Sequence, residues 1–250
     1  MTHLDNLAEA TTPDGRKLSL YHRHGDFYID LDNEQLMSTR DHGSEDALAR
    51  LGCENLATPD SPRVLIGGLG LGFTLGAALA ILPARAKVVV AEIMPAVVEW
   101  NRTHLKEISG PTLADPRVTI EVKDVQKLIG QRQPRCDAII LDVDNGPDGW
   151  CIKSNGRLYD RGGLNDIRDT LKPGGCLAIW SAAPDSSFVK RLHQSGLDGE
   201  ERTVRSRGHK GPHFTIFLAR KPMKPHTRLA SREKSRPARR KSSRPARQRR

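Results

Sequence analysis

The chain has 250 residues, 37% hydrophobic and 28% charged, which suits one large catalytic-size core with appendages rather than two full domains. Its net charge of +10 suggests a polyanion binder until it is mapped: residues 222–250 hold twelve Lys or Arg against one acid, Glu233, a local charge of +11, so the other 221 residues carry −1. No run reaches the roughly 18 apolar residues of a membrane span and no basic-then-apolar leader is visible, so a cytoplasmic protein with no membrane partner is expected.

In chain order, Lys17 to Thr39 alternates apolar and polar residues around His24-Gly25-Asp26, which predicts a β-hairpin or small meander with Leu18, Leu20, Phe27, Ile29 and Leu31 turned inward. Ser44 to Leu56 has helical spacing, with Ser44 as the expected cap. From Pro62 strands and helices alternate. The strands are expected near 64–67, 87–92, 118–123, 137–143, 176–181 and 213–219. Runs such as KVVVAE and DAIILDV are apolar on both faces, as in strands covered by helices on either side of a parallel sheet. LKPGG at 171–175 reads as a helix stop and turn, and two β-like pieces around 208–212 as a closing hairpin. The expected fold is α/β, a Rossmann-like doubly wound sheet at 59–221, preceded by a β-hairpin and helix at 1–58 and followed by a disordered basic tail at 222–250. The tail repeats SRPAR at 235–239 and 243–247, lacks core-forming residues, and is suited to nonspecific contact with polyanions or simply to solvation.

Cys53, Cys136, Cys151 and Cys176 are scattered without C-x-x-C pairing and read as free thiols. His22 with His24, and His209 with His213, lack a third ligand, so no metal is expected.

The chemistry starts at VLIGGLGLGFTLGAALAIL, residues 64–82. Gly67, Gly68, Gly70 and Gly72, with Gly76, follow a short strand and open a helix, where free N–H groups favour anions or acceptor atoms. The dinucleotide fingerprint G-x-G-x-x-G fails by counting: its sixth position falls on Phe73 from Gly68 and on Leu75 from Gly70. What remains permits an adenosine-type ligand. Glu92 ends the next strand, where a carboxylate can accept both hydroxyls of a ribose; the alternative is an acid that only complements a helix dipole. Asp124 ends the third strand and serves either the amino group of adenine or the cap of the helix from Val125. Asp142 and Asp144, two apart in LDVDNGPDGW, point the same way on an extended chain; they form either a cation-attracting pair or part of an Asp-Asn-Gly turn. Tyr159 and Trp180 are candidate cation-facing aromatics of the pocket, or plain core.

The series VLIGGLGLG, VVVAEIMPAVVEWNR, DPRVTIEVKD, DAIILDVDNGPD and LKPGG resembles the spermidine synthase family of the class I S-adenosylmethionine-dependent transferase fold, over residues 15–220. The resemblance implies a homodimer and an adenosyl-sulfonium co-substrate, decarboxylated S-adenosylmethionine or S-adenosylmethionine. It further implies Glu92 on the ribose, Asp124 near adenine and Asp142 as the acid that orients or deprotonates a small amine acceptor. Three departures accompany it. The family's glycine-loop aspartate is replaced by Gly70, its D-S-S-D or D-S-T-D by Asp142-Val143-Asp144-Asn145, and its tyrosine and histidine by Gly43 and Ser44, with Glu45 retained. Aminopropyl transfer is the first expectation and methyl transfer to another small molecule the second. The third is a decayed, nucleic-acid-binding relative acting through its tail, against which the three strand-end acids argue.

Overall fold

The computed structural model describes residues 5–131, 135–143, 146–147, 156–207 and 210–223. Asp144, Asn145, Cys151, His209 and positions 224–250 of the basic segment lie outside the described residues.

Strands β1 (Asp5–Thr11), β2 (Lys17–Arg23), β3 (Asp26–Leu31) and β4 (Glu34–Ser38) form an antiparallel sheet in sequence order, one strand larger than the expected alternation from Lys17 onward. Its two tight turns, His24-Gly25 and Asp32-Asn33, have positive φ at both central residues (55 and 87; 51 and 70). That is the type I′ turn, whose twist matches that of paired strands. Leu18, Leu20, Ile29 and Leu31 bury one face, as their alternation predicts, while Phe27 is half-buried beside His22. Helix α1 (Gly43–Cys53) follows, but Ser44 is not its cap. His42 holds that position, and Ser44 lies inside the first turn with its hydroxyl donating to Glu45.

The rest of the chain alternates: β5 (Arg63–Gly67), α2 (Phe73–Ile81), β6 (Lys87–Glu92), α3 (Pro95–Arg102), α4 (Lys106–Leu113), β7 (Val118–Val122), α5 (Val125–Gly130), β8 (Cys136–Leu141), α6 (Gly156–Tyr159), α7 (Arg161–Thr170), β9 (Leu171–Ser181), α8 (Ser186–Gln194), β10 (Asp198–Arg207) and β11 (Lys210–Arg220). The seven-stranded sheet runs β10-β11-β9-β8-β5-β6-β7. The stretch from β9 to β7 is parallel; β11 is antiparallel to both β9 and β10 and completes the closing hairpin. Alternation splits each inner strand between two cores. Ile66 and Ile140 pack with α1, α2 and α3, whereas Leu65, Ile139 and Leu141 pack with α5, α7 and α8. Strand β9 starts earlier than the expected Cys176: Leu171 is buried opposite Cys136, and Gly174 N–H donates to Lys221 O at 2.8 Å.

The chain winds outward from β5 through β6 to β7, then returns to β8 on the other side of β5. The crevice at the carboxyl ends of β5 and β8 is therefore the topological switch point, where doubly wound sheets bind ligands. Among the described residues no helix is long and apolar enough to cross a membrane.

At the opposite end of the sheet, buried Asp137 pins the approach to β5. It accepts the Thr58 N–H at 3.0 Å, the Thr58 hydroxyl, the Arg63 N–H at 2.8 Å and Lys172 Nζ at 2.7 Å. Burial alone would raise its pKa, but the Arg63 N–H, Lys172 and Thr58 outweigh it and hold the carboxyl below the usual range. Its stabilisation is therefore present above about pH 4 and is lost as pH falls through the folded-state value. Asp137→Ala strands an ammonium and two backbone donors and is expected to cost about 3–5 kcal/mol in urea unfolding at pH 7. A cost under about 1 kcal/mol contradicts this assignment.

Candidate active site

A cavity of about 160 Å³ opens at the switch point. One wall is the row of strand ends: Gly68 to Leu71 after β5, Glu92 on β6, Lys123 and Asp124 after β7, and Asp142 and Val143 after β8. The facing wall is apolar, with Leu18, Ile29, Leu31, Leu36 and Met37 of the N-terminal sheet, while Glu45, Phe73, Thr74 and Trp180 close the end near Asp142.

The glycine loop is folded on Glu92. Buried Glu92 accepts the Leu69 N–H at 2.8 Å through one oxygen and the Met94 N–H at 2.8 Å through the other. Burial raises its pKa against the opposing N–H groups of Leu69, Met94, Gly70 and Ile93. One of the loop's N–H groups, that of Leu69, is thus taken by an anionic acceptor of the protein itself. Gly67 ends β5, and Gly72 caps α2 in left-handed conformation. At Gly68 (φ 88) a Cβ would lie 2.1 Å from the Asp142 carbonyl oxygen, so the loop passes directly over the end of β8. At Gly70 (φ 51) a Cβ would lie 2.9 Å from Met37 Sδ, so a thioether occupies the space that an aspartate side chain would need.

Asp124 caps α5, accepting the Gln126 N–H at 2.9 Å through one oxygen, and also borders the cavity. Lys123 is ion-paired with Glu121 at 2.8 Å.

Asp142 follows the last residue of β8, its N–H bonded to Gly67 O at 2.9 Å. Its carboxylate accepts the Thr74 hydroxyl at 2.6 Å. Burial raises the Asp142 pKa and the Thr74 bond opposes the rise. The second acid beside it, among the described residues, is Glu45 on α1. Glu45 is pushed up to about 7, first by burial and then by the charge of Asp142. Asp144, the expected partner, lies outside the described residues. Helix α1 is held in place at its N-terminus: the His42 ring stacks on Phe73 at 4.1 Å and 9°, its Nδ1 meets Asp46 at 2.9 Å, and Asp41 is paired with Arg207 of β10.

Of the two candidate aromatics, Trp180 borders the cavity and Tyr159 does not. Tyr159 is buried in the core on the other side of the sheet, edge-on to Phe188 at 6.0 Å, because α6 packs there with α7. Thr74 and Met37 were not singled out by the sequence. Thr74 had one signal, as the sole polar side chain in the apolar run FTLGAALAIL. Among the described residues no group of three or more His, Cys, Asp or Glu is placed to hold a metal ion, and Cys53, Cys136 and Cys176 are buried thiols.

The spermine/spermidine synthase domain family matches residues 48–191. Polyamine aminopropyltransferases are similar to the chain: that of Oceanobacillus iheyensis at 26% identity over 68% of this chain and 32% of that protein, that of Nitrosomonas europaea at 32% over 56% and 42%, and that of Mycobacterium tuberculosis at 33% over 50% and 23%. The chain thus spans under half the length of these curated relatives. Spermidine synthase from Thermotoga maritima has the same fold, with a TM-score of 0.69 at 19% identity over 88% of this chain and 74% of that one. A spermidine synthase solved with the transition state analogue AdoDATO superposes equally, at 18% identity. With the family match covering more than half of its length, the chain belongs to the spermine/spermidine synthase domain family.

Proposed function

We propose that the chain is a transferase that moves an aminopropyl group from decarboxylated S-adenosylmethionine to a small amine. In this reading Glu92 holds the ribose, Asp124 lies by the adenine, and Gly67, Gly68, Gly70 and Gly72 form the surface under the nucleoside. Asp142 serves the acceptor, and Asp144 is its second anchor. The donor fits the residues present: the crevice is at the switch point, a buried carboxylate stands at the end of β6, and at Gly68 no side chain intrudes.

The observation that carries the reading is the charge of the cavity. Glu45, Glu92, Asp124 and Asp142 line it against one lysine among the described residues, and that lysine has its own partner. Such a site suits a donor bearing a sulfonium and an ammonium without a carboxylate, and a cationic acceptor. A donor carboxylate about 8 Å from one of these acids is repelled by about 2 kcal/mol at an effective dielectric of about 20, roughly thirtyfold in affinity. A bound sulfonium supplies an activated leaving group, so the protein's task is alignment and removal of a proton. A free amine has a pKa near about 10 and arrives charged. Asp142 takes a proton from the bound ammonium and so frees the nitrogen lone pair, which then forms the N–C bond as the donor's C–S bond breaks, that bond's electron pair remaining on sulfur as a neutral thioether.

Methyl transfer is the second reading, favoured by Gly70 and the Met37 thioether beside it, where the family's loop aspartate is missing. The decayed nucleic-acid binder is not supported, because Glu92, Asp124 and Asp142 all border one cavity. A homodimer and polyanion contact through the +11 segment at 222–250 belong to the proposal on the strength of family and charge alone. The test is mass spectrometry after incubation with a diamine and each donor in turn. Methylthioadenosine and an extended polyamine are expected from the decarboxylated donor; S-adenosylhomocysteine formed from S-adenosylmethionine overturns the assignment in favour of methyl transfer.

A further inference from the structure

Thr74 occupies the second position of α2, directly after the glycine loop, and is buried at 3% exposure in an otherwise apolar helix. A hydroxyl in that setting needs one acceptor, and a backbone carbonyl of the preceding turn is the usual choice for threonine in a helix. Here the hydroxyl instead reaches across the switch point to Asp142 Oδ2 at 2.6 Å. That length falls in the range of an O–H donor on a charged carboxylate. Glu45, on α1, has a different neighbour: the Ser44 hydroxyl donates to it. The other charged or titratable groups bordering the cavity are Glu92 at the end of β6 and Lys123 and Asp124 after β7; Asp46, next to Glu45 on α1, raises the pKa of Glu45 further and is itself bonded to His42.

Glu45 and Asp142 border the same cavity, and two carboxyls sharing one site do not ionise independently, because the first charge makes the second harder to form. The buried bond from Thr74 stabilises a charge on Asp142. We propose that Thr74 is a positioning residue that assigns the proton of the Glu45–Asp142 pair to Glu45 and keeps the charge, and with it the proton-accepting role, on Asp142. This rests on the proposed amine transfer for its purpose, but not for its measurement. Burial and the charge of Asp142 push Glu45 up to about 7, in line with that assignment. Thr74 thereby fixes both the rotamer of the acceptor carboxylate and its availability near neutral pH.

The experiment compares wild type with Thr74→Val and Thr74→Ser, using side-chain carboxyl ¹³C NMR titrations and the pH profile of kcat/KM. In wild type the Asp142 carboxyl is expected to titrate below that of Glu45. Thr74→Val should raise the Asp142 midpoint and the acidic limb of kcat/KM by about one pH unit, with Kd for methylthioadenosine unchanged within about twofold. Thr74→Ser should return both to wild-type values. A merely structural hydroxyl would lower the melting temperature without moving either midpoint, and that result overturns the proposal. So does a wild-type Asp142 that titrates above Glu45, a measurement needing no variant. Absence of aminopropyl transfer by wild type, with the NMR shifts intact, would instead contradict the proposed function and leave the proton assignment standing.

Discussion

Asp142→Asn is expected to lower turnover by about 10³-fold while leaving the affinity for methylthioadenosine within about threefold of wild type. The asparagine keeps the shape, and its side-chain oxygen still accepts the Thr74 hydroxyl, so α2 and the end of β8 stay where they are. What it loses is the capacity to take a proton from a charged amine. The substitution also removes a desolvated carboxyl whose pKa burial raises, so thermal stability at pH 7 should not fall. A variant that retains more than about a tenth of wild-type turnover excludes Asp142 as the proton acceptor. One that loses turnover together with donor binding shows a misplaced loop instead.

Glu45→Gln should separate binding from stability. The folded-state pKa of Glu45 is pushed from 4.5 up to about 7, so the folded protein holds this proton more tightly than the unfolded chain does. Stability therefore declines as pH rises from the unfolded value to the folded one, and above pH 7 the ionised group opposes folding. The full shift corresponds to about 3 kcal/mol, and partial solvent access through the cavity reduces it to about 2 kcal/mol. Glu45→Gln is thus expected to raise the melting temperature at pH 8 by about 5 °C and to change little at pH 4.5. The Ser44 hydroxyl keeps an acceptor in the glutamine oxygen. In wild type the KM for a cationic acceptor should rise as pH falls through 7, because protonation halves the charge of the pair. In the variant, KM should be about tenfold higher at pH 8 and nearly flat between pH 6 and 8. A melting temperature that drops at pH 8 contradicts the burial argument.

Much of this arrangement is legible along the chain, for reasons that differ by residue. Strands β5, β6 and β8 are apolar on both faces because helices cover both, and that pattern announces a parallel sheet without further information. Glu92, Asp124 and Asp142 stand out because each carboxylate falls where an apolar strand ends, and all strand ends of a parallel sheet share one edge. Their convergence follows from topology. Glu45 is different: it lies in a helix whose placement against β8 and β9 is decided by packing, and only the resemblance singled it out. Thr74 is an unremarkable helix residue until the switch point sets α2 beside β8. Tyr159 was open to two readings, because an aromatic near the sheet edge carries no mark of which face it packs on. Ser44 has the composition of a cap, but His42 starts the helix two residues earlier, with its ring stacked on Phe73. The register of a helix start against tertiary contacts is not written in local propensity. The exchange at Gly70 is legible as a missing aspartate, whereas its filling by Met37 required the N-terminal sheet to be in place.

The proposed roles all depend on one arrangement, in which the acids at the carboxyl edge of the sheet would surround an adenosyl sulfonium. Isothermal titration of decarboxylated S-adenosylmethionine into the folded wild-type protein is the most direct measurement. Saturable binding with one site per chain, at least about tenfold tighter than for S-adenosylmethionine, is the predicted result. No detectable heat with decarboxylated S-adenosylmethionine, S-adenosylmethionine or methylthioadenosine would contradict it.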